Sequence, residues 1–269
     1  MDNKTARRHF LLAPAAAVTH PLWAQNKPLV IDAHCHAGKG TAMSAPWTTR
    51  ADVEVTLRHM EEAGIDRTVI FPINNTEFEK PNQEVAEICG RYPKKFIGFA
   101  KHDPKTESGR IAKMLRYEVE KLGLKGLKLH ELPTREVLDT VAELGIPILY
   151  HPSRVSSFHM LAPEYPQIPF IMAHLGSFAS QNWPEHIEAI EVAKRYPNVY
   201  LDTSSVVFFK FLEMAVKEAG PDKLIFGTDG PELDSRVELY KVKLLKLSPS
   251  EEAKVTGGNI VKLLPKGTV

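Results

Sequence analysis

The sequence has little cysteine, no long apolar run and almost no net charge, and each of these absences excludes a class of protein. Two cysteines in 269 residues exclude a disulfide-based scaffold and a zinc site built from four cysteines. No stretch approaches the roughly 18 consecutive apolar residues of a transmembrane helix, so we expect no membrane span. The 34 lysines and arginines against 33 acidic residues leave a net charge of +1, which argues against nucleic acid as a partner.

The first 24 residues have the layout of an export signal. Arg7 and Arg8 precede an apolar and alanine-rich stretch that ends near Ala24, and the Arg-Arg-x-Phe-Leu run is similar to a twin-arginine signal. We therefore expect a signal peptide over 1–24, a periplasmic or otherwise exported protein, and one folded domain over 28–269. The alternative is an amphipathic N-terminal helix packed on that domain. The sequence leaves open whether the chain forms a homo-oligomer.

From residue 29 onward, short apolar runs alternate eight times with amphipathic stretches. The predicted strands are 29–36, 67–73, 96–102, 124–130, 146–151, 169–174, 199–204 and 224–229. The predicted helices are 51–63, 82–91, 108–122, 135–144, 185–195, 208–218 and 232–245. Continuously apolar strands are typical of parallel sheets covered on both faces. The pattern predicts an α/β protein with a single-domain (β/α)8 TIM barrel.

An alternative fold and one long connection have to be considered beside this prediction. An open doubly wound sheet is the alternative fold, but such sheets usually carry a glycine-rich phosphate loop after the first strand. Here that position has the run Asp-Ala-His-Cys-His instead. The longer connection 153–167, after the fifth strand, is predicted to be a loop that is either a substrate lid or a surface excursion.

Polar side chains follow several of these apolar strands, at the point where each strand ends. Because side chains alternate along a strand, Asp32, His34 and His36 are expected on one face of the first strand. His151 and His174 follow the fifth and sixth strands. The carboxyl ends of barrel strands meet at one face of the barrel, so these imidazoles are expected to converge there.

Asp229 follows the eighth strand and completes a candidate metal site. A buried carboxylate has to be paired, protonated or bound to a metal. Three neutral imidazoles and one carboxylate suit Zn²⁺ or another first-row divalent ion, whereas Mg²⁺ or Ca²⁺ would require more carboxylates. We therefore expect one divalent metal ion, with Zn²⁺ preferred, and a small-molecule substrate. Such an ion lowers the pKa of a bound water towards about 7, and a further histidine can take its proton.

These residues stand in motifs that resemble a known family. The motifs are Ile31-Asp-Ala-His34-Cys-His36, Gly126-Leu-Lys128-Leu-His130, Tyr150-His151-Pro, Ala173-His174-Leu-Gly176, Tyr200-Leu-Asp202-Thr-Ser, Phe226-Gly-Thr-Asp229-Gly-Pro231 and Gly258-Asn259. Together they resemble the amidohydrolase superfamily. Within it, they are similar to the amidohydrolase-related branch that includes aminocarboxymuconate-semialdehyde decarboxylase and related lactonases and decarboxylases. The resemblance covers residues 29–264 in strand order.

The resemblance implies a role for each residue. His34, His36, His151 and Asp229 would bind the metal ion, and His174 would act on the water or contact the substrate. Asp229 would also accept a proton, so Asp229 and His174 are the expected catalytic residues.

A second group of residues is expected to contact the substrate. Lys128, His130 and Arg154 are the predicted substrate-binding residues, with the Arg154 guanidinium suited to a carboxylate. Lys128 has three interpretations: a carbamate bridging two metal ions, a cation for a substrate carboxylate, or a packed residue whose amine reaches solvent. Lys101 and His102 follow the third strand and are candidates for the pocket lining, with solvated loop positions as the alternative.

The expected function is that of a metal-dependent hydrolase. In it, a metal-bound hydroxide would attack a small ester, lactone or amide. The alternative is a metal-dependent nonoxidative decarboxylase of an unsaturated or aromatic carboxylic acid. A noncatalytic binding protein is a remote third hypothesis. Such a protein would be expected to have lost metal-binding residues, and all four candidate ligand positions are intact.

Overall fold

The computed structural model describes residues 28–40 and 50–269, so the predicted signal peptide lies outside the described residues. Its strands are β1 (Ile31–Ala37), β2 (Arg67–Pro72), β3 (Phe96–Gly98, continued as Ala100–Lys101), β4 (Leu127–Leu129), β5 (Ile148–Tyr150), β6 (Phe170–Met172), β7 (Val199–Asp202) and β8 (Leu224–Ile225). Its helices are α1 (Val53–Ala63), α2 (Glu79–Arg91), α3 (Ile111–Glu120), α4 (Arg135–Leu144), α5 (Phe158–Glu164), α6 (Pro184–Arg195), α7 (Lys210–Glu218), α8 (Ser235–Leu244), α9 (Pro249–Ala253) and α10 (Asn259–Leu263).

The strands close into a parallel barrel. Strands β1 to β3 pair in sequence, and the second segment of β3 begins a run of parallel pairs that ends with β8. The ring closes between β8 and β1, where the amide of Ala33 donates to the carbonyl of Phe226 over 2.9 Å. A further parallel bridge joins Cys35 to Gly230. The predicted (β/α)8 barrel is confirmed.

Apolar side chains fill the barrel from alternate positions of its strands. The inner cluster contains Ile31, Ala33, Val69, Phe71, Ile97, Phe99, Leu149, Ile171, Ala173 and Ile225. The residues between them, such as Ile70, Ile148 and Phe170, pack outward against the buried faces of the helices. This double burial explains why the strands are continuously apolar in the sequence.

The inward positions continue beyond the apolar core into the polar residues of the site. Two residues after the inward Phe99 comes Lys101, two after Leu149 comes His151, and Lys128 lies between the outward Leu127 and Leu129. At the carboxyl end of the barrel, these polar side chains therefore occupy the same inward positions as the apolar residues before them on the strands. This is the end at which barrels of this type carry their sites.

Strand β1 departs from simple alternation. Its pairing with β2 is irregular between Asp32 and Cys35, so Ile31 and Ala33 pack inside the barrel whereas Cys35 and Ala37 pack outside it. The expectation that Asp32 shares one face with the two histidines of β1 is therefore wrong. A bulge of this kind re-aims side chains, and bulges are common beside functional sites.

The connection after β5 also differs from the prediction. Residues 153–167 contain the short 3-10 helix Val155–Ser157 and then α5, rather than a loop. Phe158 and Leu161 of α5 are buried in the outer core, so the segment is the fifth crossover helix. Its seven residues include Pro163, which obscured the helical periodicity in the sequence. Within the described ranges, no helix is long and apolar enough to span a membrane.

Candidate metal centre

The site begins where hydrogen bonds join β1 to the chain that follows β8. The Asp32 carboxylate accepts hydrogen bonds from the Thr228 amide at 2.9 Å and the Thr228 hydroxyl at 2.7 Å. The Asp229 amide donates to the His34 carbonyl, and the His36 amide donates to the Gly230 carbonyl, each over 2.7 Å. These bonds fix Asp229 beside the two histidines of β1.

These hydrogen bonds bring three of the predicted metal ligands to one point. Oδ1 of Asp229 lies 3.2 Å from Nε2 of His34 and 3.4 Å from Nε2 of His36. His174 joins them, since single donor atoms of His34, His174 and Asp229 all lie within 4.8 Å of one another. The residues are buried, so any charge gathered here is poorly screened by water.

A row of imidazole rings extends from this point across the barrel mouth. The ring centroids of His34 and His174 are 4.8 Å apart, those of His174 and His151 are 4.7 Å apart, and those of His151 and His130 are 5.2 Å apart. The structure thus places His151 next to His174, and the His174 ring lies between those of His151 and His34 along the row.

Asp202 orients His34 through the Nδ1 atom of the imidazole ring. Its carboxylate oxygen lies 2.7 Å from Nδ1 of His34 and accepts the Ser204 hydroxyl over 2.6 Å. A carboxylate only accepts hydrogen bonds, so Nδ1 of His34 carries a proton and Nε2 is the nitrogen that faces Asp229. This carboxylate–imidazole arrangement is the one that supports metal-binding histidines in proteins.

Ser204 fixes the other catalytic candidate. The Ser204 hydroxyl has already donated its hydrogen to Asp202, so at 2.9 Å it can only accept from Nδ1 of His174. Nδ1 of His174 therefore carries its proton, and Nε2 is the nitrogen left to accept one. Burial lowers the pKa of His174 to about 4, which keeps the ring neutral at pH 7.

Burial also keeps two further imidazoles neutral. It lowers the pKa of His36 to about 3 and lowers the pKa of His151 to about 2. Burial and Lys128 would lower the pKa of His34 as well, but Asp202 and Asp229 outweigh them and raise it. Burial alone would raise the pKa of Asp229, but the adjacent His174 and His34 hold it well below the usual range. The site therefore places neutral imidazoles around an ionised carboxylate, and a metal ion that binds His34 would displace the proton that Asp229 favours there.

This donor set fits a divalent metal ion. Nε2 of His34 and Oδ1 of Asp229 face each other at 3.2 Å. A carboxylate oxygen only accepts hydrogen bonds, so either a proton or a cation lies between these two atoms. In addition, Nδ1 of His36 is buried without a hydrogen-bond partner in the described part of the chain, which is costly for a ring that has no further role.

The predicted substrate-binding residues Lys128 and Arg154 differ in how deeply they are buried. Lys128 is fully buried, with its amine 3.3 Å from Nε2 of His34 and 5.2 Å from the centroid of the Phe71 ring. Burial lowers the pKa of this amine to about 8. The interpretation in which the Lys128 amine reaches solvent is therefore wrong. Arg154 is exposed before the 3-10 helix that follows β5, and its contact with a substrate carboxylate remains a prediction.

A cavity of about 180 Å³ opens at the barrel mouth. It is lined by His36, Asn74, His130, His151, His174, Phe178, Asp229 and Glu232. His130 therefore lies where a substrate-binding residue is expected, and burial beside Lys128 and Lys101 holds its pKa well below its ordinary value. Asn74 directly follows the predicted strand 67–73, so the strand-end pattern could have found it, whereas Phe178 and Glu232 lie in connections and carried no recognisable sequence signal.

Lys101 and His102 are buried rather than solvated, so the loop alternative for them is wrong. The Lys101 amine donates to Asn74 over 3.1 Å. His102 turns away from the cavity and bridges the buried carboxylates of Glu107 at 2.9 Å and Glu118 at 2.8 Å.

Two site residues have unusual backbones. His174 and Asp229 have φ values of 57° and 58°, in the left-handed region that non-glycine residues rarely adopt. Each such residue costs roughly 1–2 kcal/mol. Conformations of this kind persist where the surrounding structure enforces them, and they cluster at active sites.

Sequence comparison agrees with the geometry. The family model described as amidohydrolase matches residues 31–266, which is most of the chain. The chain belongs to the amidohydrolase family. It is therefore an enzyme of a metal-dependent family, with a candidate site that contains His34, His174 and Asp229. No curated protein matches the sequence.

This amidohydrolase shares its fold with solved structures of low sequence identity. It is similar to 5-carboxyvanillate decarboxylase from Sphingomonas paucimobilis, with a TM-score of 0.70, 14% identity, and coverage of 88% of this chain and 98% of the other. A dihydroxybenzoic acid decarboxylase from Polaromonas sp. with bound manganese and 2-nitroresorcinol gives a TM-score of 0.70, 18% identity, and coverage of 87% and 96%. A probable 2-pyrone-4,6-dicarboxylic acid hydrolase from Acinetobacter baumannii with bound citric acid gives 0.65, 17% identity, and coverage of 87% and 98%.

Proposed function

We propose that this amidohydrolase is a metal-dependent hydrolase of a small ester, lactone or amide. We assign His34, His36, His151 and Asp229 as the residues that hold one divalent metal ion, with Zn²⁺ preferred for a set of three imidazoles and a carboxylate. A structural relative that contains manganese leaves other first-row ions as the alternative. When bound, such an ion polarises a carbonyl group and lowers the pKa of a coordinated water.

The contact between Nδ1 of His174 and the Ser204 hydroxyl is the observation that carries this proposal. It commits the Nδ1 proton to Ser204, and burial lowers the pKa of the ring, so Nε2 is unprotonated. Hydrolysis begins with the removal of a proton from water, and a neutral imidazole can perform this step. His174 then returns that proton to the leaving oxygen or nitrogen, and Asp229 is the second acceptor beside it.

Nonoxidative decarboxylation of an unsaturated or aromatic acid is the second candidate. The buried amines of Lys101 and Lys128 favour it, because each can neutralise a substrate carboxylate near the ligands. This reaction requires an acid to protonate the carbon that loses CO2. The low pKa of His174 suits that role less well than it suits a base.

Metal analysis combined with product analysis tests the proposal. The purified protein should contain one metal ion per chain, and a panel of lactones, esters and amides should yield acid without CO2. His34→Ala should lose both metal and activity, whereas His159→Ala, at an exposed position, should retain both. Release of CO2 from aromatic acids without ester cleavage would favour the decarboxylase. A metal-free protein indifferent to His34→Ala would contradict both proposals.

We also propose that the protein is exported through the signal at 1–24. The twin-arginine-like run and the alanine-rich stretch support this proposal. Fractionation of the bacterium, with Arg7 and Arg8 both replaced by lysine in a parallel strain, tests it. Export should stop in that strain, and full-length protein confined to the cytoplasm of the unaltered strain would contradict the proposal.

A further inference from the structure

A second cavity, the side groove, adjoins the one at the barrel mouth. It has a volume of about 630 Å³, against about 180 Å³ for the cavity beside the metal ligands, and Phe178 and Glu232 line both. Its apolar lining consists of Phe178, Ala179, Val206, Val207, Leu233 and Val237. Sites for small molecules typically measure roughly 300–1,000 Å³ and are mostly apolar. The two cavities together therefore have the size of a ligand site, whereas the smaller one alone does not.

Phe178 lies between the side groove and the imidazoles of the candidate metal centre. Its ring centroid is 5.3 Å from that of His174 and 6.4 Å from that of His151. The Phe178 side chain is half-buried, so one part of it contacts these imidazoles and another part lines the side groove. A molecule whose reacting bond lies beside His174 can therefore extend past Phe178 into the side groove.

Hydrogen bonds between two connections fix the walls of the side groove. The Ala179 amide donates to the Ser205 hydroxyl over 3.1 Å, and the Val207 amide donates to the Ser180 hydroxyl over 3.0 Å. These bonds join the chain after β6 to the chain after β7. Ala179, Ser180 and Ser205 have φ values of 50°, 54° and 60°, and such conformations persist where the surrounding structure enforces them. The walls are thus preformed, which spares a ligand the cost of ordering them.

The buried polar groups beside the side groove already bond to one another. The Glu238 carboxylate accepts from the Ser205 amide over 3.0 Å and lies 2.6 Å from the Lys241 amine. The same amine donates to the Val206 carbonyl over 3.1 Å. A polar ligand would have to break these bonds to form its own. The side groove therefore favours a hydrocarbon over a charged or strongly polar group.

Two of the apolar lining residues are exposed. Val207, which follows β7, is 64% exposed, and Val237 of α8 is 58% exposed. Apolar side chains that cluster in a concave surface are typical of ligand-binding grooves. Covering them with a hydrocarbon removes apolar surface from water on both partners, which is favourable.

We propose that the side groove binds an alkyl chain of the substrate, attached beside the bond that reacts. The inference rests on the proposed function, because it places the reacting bond at the candidate metal centre. It adds a substrate class, namely esters, lactones or amides with an extended alkyl group. It also makes Val207 and Val237 specificity residues, at positions that no strand-end motif includes.

Hydroxamic acids of increasing chain length test this proposal. Acetohydroxamate and octanohydroxamate share one metal-binding head group, and titration calorimetry with the metal-loaded protein measures both affinities. The wild type should bind octanohydroxamate roughly 10- to 1,000-fold more tightly, because each buried methylene contributes about fourfold. Val207→Asn and Val237→Asn should each weaken octanohydroxamate by roughly fivefold or more and leave acetohydroxamate unchanged. Both side chains are exposed, so neither substitution disturbs the core, and neither adds a charge.

Val261→Asn is the matched control, since Val261 of α10 is an exposed valine that lines neither cavity. It should preserve the preference for the longer chain. A metal-loaded wild type that binds both hydroxamates equally would overturn the inference alone, and so would folded Val207 and Val237 variants with an unaltered preference. A dimer that dissociates in these variants, again with an unaltered preference, would assign the side groove to a contact between two copies of the chain. A metal-free wild type that binds neither probe would contradict the proposed function, and the inference would fail with it.

Discussion

The Nδ1 atom of His34 lies 2.7 Å from a carboxylate oxygen of Asp202, and both residues are fully buried. Burial would raise the pKa of Asp202, but His34 and the Ser204 hydroxyl keep this carboxyl ionised. The pair fixes which nitrogen of His34 faces Asp229. The geometry of the candidate metal centre therefore depends on a residue that is not itself a proposed metal ligand.

Replacing Asp202 with asparagine should weaken metal binding. The amide would no longer hold the proton on Nδ1 of His34, and loss of such a supporting carboxylate typically costs roughly 10- to 100-fold in metal affinity. Competition with a chromogenic chelator measures the effect. Asp222→Asn is the control, because Asp222 is exposed and its ion pairs in the described part of the chain are with Lys254 and Lys262. An Asp202→Asn protein that holds its metal as tightly as the wild type would contradict this role.

Replacing His174 with glutamine should separate catalysis from metal binding. Glutamine can still donate to Ser204 but cannot accept a proton, so kcat should fall by roughly 10²- to 10⁴-fold. The metal content should remain that of the wild type, as measured by elemental analysis. His186→Gln is a control at a buried histidine outside the cavity. Loss of metal in His174→Gln would show that His174 is a ligand instead.

The sequence predicted the barrel and the polar strand ends because both follow from local patterns. Continuous apolar runs indicate strands covered on two faces, and a histidine after such a run lies at the carboxyl end of the barrel. Asp202 also ends a strand, within the motif Tyr200-Leu-Asp202-Thr-Ser, and its carboxylate contacts Nδ1 of His34.

What could not be predicted depends on irregular backbone or on distant partners. The bulge in β1 moves Asp32 to the opposite face, and no residue in that run signals it. Phe178 and Glu232 reach the cavity from connections whose paths the sequence does not encode locally. The network around His102 joins residues of β3 and α3, so its members look unrelated along the chain.

Gly227 is required by the crowded interior beside the metal centre. A Cβ atom at this position would overlap the Asp202 carboxylate and approach the Cβ of His34 to 2.8 Å. Gly227→Ala should therefore destabilise the fold by about 1–3 kcal/mol and weaken metal binding, as urea unfolding and chelator competition would show. Gly90→Ala in α2 meets no neighbouring atom and should stabilise by about 0.5–1 kcal/mol. A neutral Gly227→Ala would contradict the close approach.

The chemical state of Lys128 distinguishes a site with one metal ion from a site with two. As an amine 3.3 Å from Nε2 of His34, it should leave a single ion per chain in the wild type. Lys128→Met should then retain that ion, as elemental analysis of both proteins would show. Two ions in the wild type, reduced to one or none by the substitution, would instead identify Lys128 as a bridging carbamate.

The charge on His102 makes the stability of the protein depend on pH. Burial would lower the pKa of His102, but hydrogen bonds to Glu107 and Glu118 outweigh it and raise the pKa to about 9. The unfolded value is about 6.5, so the stabilisation is fully present below that pH and is lost as the pH rises through about 9. His102→Gln should therefore cost most below pH 6.5, on the order of 3 kcal/mol, and progressively less towards pH 9.

Urea unfolding of the wild type and His102→Gln measures this difference. The same series with His159→Gln, at an exposed position, controls for the loss of a histidine side chain. The hydrogen bond from His102 lowers the pKa of Glu107, although burial opposes the shift. The stability linked to Glu107 is lost only as the pH falls below about 4.5, outside the interval in which His102 titrates. A wild-type advantage that stays constant from pH 6.5 to pH 9 would mean that His102 is neutral between its two carboxylates.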